Sequence, residues 1–106
     1  MPSYLLQASY SVEALSSLVK KPVNRTEMIR KTVEKLGGSL KGLWLSFGEY
    51  DTVAILEMPD NTSAAAFALA VGAGGACRSV KTTPLFTAEE GVVAMTKAAG
   101  SGYKSI

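Results

Sequence analysis

LKGLWLSFGEYDTVAILEMPD, residues 40–60, is the stretch that decides the fold. Two apolar runs, Leu40–Phe47 and Thr52–Met58, are joined by the short polar link Gly48–Asp51, the pattern of an antiparallel β-hairpin. Successive side chains of a strand point to opposite faces. In the first run Leu43, Leu45 and Phe47 therefore share one face, and Gly42, Trp44 and Ser46 the other. In the second run Val53 and Ile55 oppose Ala54, Leu56 and Met58. Bulky apolar groups stand on both faces, whereas a strand with water on one side shows cleaner alternation.

Working outward, Ser3–Tyr10 alternates Tyr4, Leu6, Ala8 and Tyr10 with Ser3, Leu5, Gln7 and Ser9, the two-residue period of another strand. Ser11 then stands as an N-cap before Val12, Leu15, Leu18 and Val19, an amphipathic helical face that Pro22 ends or kinks. Asn24 and Glu27 resemble a capping arrangement for a second stripe, Ile29, Val33 and Leu36, which Gly37 and Gly38 stop. These segments predict one bent or broken helical crossover of about 25 residues. Downstream, Asp60 caps a helix through Ala64–Val71 with Phe67 and Leu69, ending at Gly72, Gly74 and Gly75. Cys77–Phe86, carrying Pro84, reads as an edge strand. Thr87 and Glu90 form a T-x-x-E capping box for a last helix with Val92, Val93 and Met95, fading out by Gly100. The order is that of an α+β, ferredoxin-like βαββαβ fold with a four-stranded antiparallel sheet, helices on one face and an additional C-terminal helix. Residues 1–100 form the expected single domain, and 101–106 a flexible tail.

The sheet face away from the helices would leave one apolar set in water. Large exposed apolar patches are rare on monomers, so a second copy packed sheet to sheet is the simplest cover.

Composition excludes more than it offers. The chain has 106 residues, 47% hydrophobic and 19% charged, with net charge +2, which suits one folded domain. That charge is too small to point to nucleic acid or a membrane surface, and neither is an expected partner. Met1–Tyr10 lacks a basic segment leading into an apolar stretch, and no run approaches the roughly 20 apolar residues of a bilayer span. A cytoplasmic location is expected. Cys77 is the only cysteine and there is no histidine. Internal disulfides, Ser-His or Cys-His machinery, and histidine-ligated zinc, iron or haem are thereby excluded. No metal and no cofactor is expected; without histidine, any proton handling would fall to tyrosine, lysine, carboxylates or a bound cofactor.

Gly48, Tyr50 and Asp51 at the hairpin tip resemble the signature of the GYD domain family. Leu36, Gly37, Gly38, Leu40, Lys41 and Gly42 before the tip fit the family pattern, as do Val53, Glu57, Pro59 and Asp60 after it and Leu85, Phe86 and Thr87 near the end. The resemblance spans nearly the whole chain. It implies membership of the dimeric α/β-barrel group, with homodimers or higher homo-oligomers, and names no reaction.

Each candidate site residue has two readings. Gly48 supplies a positive φ, Asp51 accepts bonds from turn amides, and the Tyr50 hydroxyl meets the backbone; or Tyr50 and Asp51 border a pocket, as donor and as base or anchor. Glu57, in an apolar strand, is either an edge ion pair or an inward carboxylate whose pKa is raised by burial or that a cation such as Arg78 or Lys81 pairs with. Trp44 is interface packing or a ligand-stacking wall. Gly72–Ala76 leaves a helix for a strand, the wrong order for a phosphate loop. The basic tilt of Lys20, Lys21, Arg25, Arg30, Lys31 and Lys35 is that of a solvated helix face.

Three functions follow from these readings. One is a homo-oligomeric binding or accessory module with a small, apolar ligand between sheet and partner sheet. Another is a cofactor-independent oxygenase or isomerase, which rests on fold analogy alone. RNA binding ranks last, because the third strand has no stacking aromatics among basic residues.

Overall fold

The computed structural model describes all 106 residues. Its elements run β1 (Ser3–Tyr10), α1 (Val12–Lys20), α2 (Thr26–Lys35), β2 (Ser39–Leu45), β3 (Thr52–Glu57), α3 (Asn61–Ala73), β4 (Cys77–Leu85) and α4 (Ala88–Ala99). The four strands form one antiparallel sheet in the order β2-β3-β1-β4, the ferredoxin-like arrangement that the sequence predicts. No helix is long and apolar enough to cross a membrane.

The core lies between the sheet and two helices. Tyr4, Leu6 and Ala8 of β1 and Ala54 and Leu56 of β3 face Val33 of α2 and Ala64 and Phe67 of α3, all buried. Met58, just past β3, joins them. The opposite face carries three cross-strand rows: Ser39–Glu57–Ser3–Leu85, Gly42–Ile55–Leu5–Thr83 and Trp44–Val53–Gln7–Lys81. Its centre is apolar and its rim polar. No helix covers it, and Trp44 and Leu85 on it are exposed.

One irregularity hid in the hairpin. Strict alternation would set Leu40 beside Gly42 and Trp44, yet the register shifts between Leu40 and Gly42. Lys41 is the extra residue of this β-bulge, so Leu40 turns into the core at 3% exposure while Gly42 and Trp44 stay outside. The strand also stops at Leu45, and Phe47 stands beyond it fully in solvent.

The crossover is broken rather than bent. α1 keeps its Ser11 cap, whose Oγ accepts the Ala14 N–H at 3.1 Å, but buries none of its residues. The expected Asn24–Glu27 capping pair does not form: Asn24 Oδ1 accepts the Thr26 N–H, Arg25 takes the N-cap position without a capping bond from its side chain, and Glu27 pairs with Arg30. The Asp60 cap of α3 and the reciprocal Thr87–Glu90 capping box of α4 form as the sequence predicts.

α4 follows the chain away from the sheet. Gly91 is its only buried residue, and Val92, Val93 and Met95 are exposed. The molecule is accordingly extended, with a radius of gyration of 16.8 Å against about 13 Å for a compact chain of this length.

Candidate functional site

The break between α1 and α2 opens a cleft of about 890 Å³ on the helix side of the sheet. The sheet supplies its floor through Leu6, Ala8, Leu43 and Ala54. Leu15, Leu18 and Val19 of α1 and Met28 and Ile29 of α2 wall one side, with Phe67, Ala70 and Val71 of α3 on the other. The alanine-rich sequence of α3 accounts for room on that side, since a methyl group at Ala70 reaches less far than a branched side chain. Volumes of this order are those of sites for small organic ligands.

The polar end of the cleft lies where β1 meets the hairpin tip. Asp51 stands in the lining, and its Oδ2 accepts the Tyr10 N–H at 2.8 Å. Its own N–H donates to Ala8 O at 2.9 Å, and its carbonyl accepts the Ser46 N–H at 2.8 Å. Asp51 thus ties the tip to β1, rather than bonding turn amides. Ser9 Oγ adds a bond to Glu49 O at 2.7 Å. Beside them, the buried Thr52 hydroxyl donates to Tyr10 Oη at 2.9 Å.

Across this end are Arg25 and Cys77, both partly buried. Desolvation pushes the Cys77 thiol above its ordinary value, with the Arg25 charge opposing and the Asp51 charge adding to the rise. Both charges therefore reach one thiol. A raised thiol holds its proton at neutral pH and is a poor nucleophile.

The other expected residues lie elsewhere. Gly48 has φ +133°, as its place in the turn predicts. Tyr50 is outside the cleft lining, with its hydroxyl beside Glu49 rather than the backbone; desolvation, then the Glu49 hydrogen bond and charge, hold its phenol above the usual value. Glu57 and Trp44 are on the open sheet face. Glu57 pairs with Lys41 at 3.6 Å, not with Arg78 or Lys81. The register explains why: the β4 residue in its row is Leu85, whereas Lys81 is two rows away and Arg78 lies at the far end of β4. The Trp44 ring lies over Gly42, where an added Cβ would come 2.4 Å from the ring edge. Of Trp44, Tyr50, Asp51, Glu57 and Arg78, the cleft gathers Asp51 alone.

Tyr10, Thr52 and Arg25 carried no functional signal in the sequence. Tyr10 and Thr52 read as strand ends, and Arg25 as one more cation on a basic helix. The lack of a small polar residue at position 25, where a helix start usually has its cap, was the one available hint.

A family model described as the GYD domain matches residues 4–95. A comparison with curated proteins gave no match. Among solved structures, one described as the crystal structure of FFRP-DM1 is similar, with a TM-score of 0.52 and 13% sequence identity over 81% of this chain and 100% of that chain. At that identity the likeness shows the fold alone.

Proposed function

Because the chain belongs to the GYD domain family, a small ferredoxin-like group, we propose that it is a homo-oligomeric binding protein for a small, largely apolar molecule. The cleft between the sheet and α1–α3 carries this reading. It combines an apolar lining with a few polar groups gathered at one end, the composition of ligand sites. The ligand lies on the helix side of the sheet, not between sheet and partner sheet. α1 forms the movable wall, since a helix without buried residues opens at little cost.

A second copy covers the open sheet face. Leu5, Val53 and Ile55 make an apolar centre that Trp44 and Leu85 extend onto the two edge strands, with Gln7, Lys41, Glu57 and Lys81 as polar groups around it, a mixture found in protein interfaces. The two surfaces divide the work, with assembly on one side of the sheet and binding on the other.

Amide shifts during titration with 1-octanol test this reading. Perturbations at Leu15, Val71 and Cys77, lost in Ala70→Trp, are expected. Perturbations centred on Leu5 and Trp44 would instead place the ligand between sheets and overturn it.

A further inference from the structure

Granted that the cleft holds a small molecule, we infer that its ligand is a monoanionic carboxylic acid with an apolar body, its carboxylate held by Arg25.

Arg25 is the one cation in the cleft lining and Asp51 the one anion. The chain's two ion pairs are Arg30–Glu27 and Lys41–Glu57, so Arg25 has no carboxylate partner. Its hydrogen bond goes to Met28 Sδ at 3.6 Å, a weak acceptor. A guanidinium has five N–H donors in a planar fork that fits a carboxylate through two parallel bonds. Most of that capacity is unused here. The apolar walls around it lower the local dielectric, which strengthens any pairing made inside the cleft.

The opposite side is already committed. Asp51 takes the Tyr10 N–H, and its carboxylate and the Arg25 guanidinium are too far apart to form an ion pair. An acid entering between them meets Arg25 with its carboxylate and has the Tyr10 hydroxyl in the lining of the same cleft. A dianion such as a phosphate monoester would have a single cation to offset two charges while facing Asp51. One negative charge matches one unpaired guanidinium. The remaining lining, from Leu15 and Val19 to Phe67 and Val71, then takes the hydrocarbon part.

Calorimetric titration of the full chain with octanoate, 1-octanol and octylamine, three probes of equal body and different head, tests the assignment. Octanoate is expected to bind at least about tenfold tighter than 1-octanol, the order of a charge-assisted bond over a neutral one. Arg25→Gln should bring octanoate down to the level at which the same variant binds 1-octanol. Arg25→Lys, which keeps the charge and loses the fork, should fall between. Lys31→Gln, which removes an exposed cation from the same helix, should change neither. Near-ultraviolet circular dichroism confirms that each variant is folded. Equal binding of octanoate and 1-octanol, or tighter binding of octylamine, would overturn the carboxylate class while sparing the cleft as a ligand site. Failure of all three probes to bind would sink both.

Discussion

At the level of single residues, the tip signature is a fastening as well as a turn. Asp51 joins two bonds between the hairpin and β1 and a third across the hairpin to Ser46, and the bond from the Tyr10 N–H to its carboxylate is partly shielded from water. Asp51→Ala removes a charge-assisted acceptor and should lower unfolding stability by about 1–3 kcal/mol. Tyr50→Phe, which loses a hydroxyl that stands beside Glu49, should stay within about 0.5 kcal/mol of the parent in the same urea titration. A larger loss in Tyr50→Phe than in Asp51→Ala would reverse these roles. Gly38 makes a related point. The sequence presents it as a helix stop, yet a Cβ there would come 2.4 Å from Glu57 O and 2.5 Å from Met58 Sδ. Gly38→Ala should therefore cost about 1–3 kcal/mol by overpacking, through a backbone that cannot swing aside as a side chain can. The turn chemistry of Gly48 was legible because it is local. The partners of Asp51, Glu57 and Gly38 were not, since each is brought up from a different strand.

Elements show the same division. Every capping residue that acts within its own turn, Ser11, Asp60 and Thr87, could be read from the chain. The bulge at Lys41 could not, because it depends on which β3 residue pairs with Leu40. The Asp60 cap has a pH signature. The Ser63 backbone N–H, then the Ser63 side chain, hold the Asp60 carboxyl below its ordinary value of 3.8. A folded pKa below the unfolded one stabilises the fold fully above the unfolded value and is lost as pH falls through the folded one. The stability gap between the parent and Asp60→Ala should thus be constant at neutral pH and shrink only in acid, below that ordinary value. A gap that narrows near pH 7 would assign the cap's contribution to another group.

For the molecule as a whole, the open sheet face and the projecting α4 both leave apolar surface outside the core, and the proposed assembly accounts for the first. Ile55 sits at the centre of that face, half-buried, beside Leu5 and Gly42. Sedimentation equilibrium should find the parent chain as a dimer or larger. Ile55→Lys should shift it to monomer without loss of helical circular dichroism, because the side chain points away from the core. A parent chain that remains monomeric at high concentration would defeat the sheet-to-sheet arrangement. The sequence by itself determined the order of strands and helices, the hairpin, the caps of α1, α3 and α4 and the two apolar faces, because these arise from periodicity and from bonds within a few residues. Only the tertiary structure decided which face is the core, that α1 stands loosely on the sheet, and that Arg25, Asp51, Tyr10 and Cys77 share one end of a cleft. Those four come from different elements, and no local rule of spacing records which side chains a sheet and its crossover bring together.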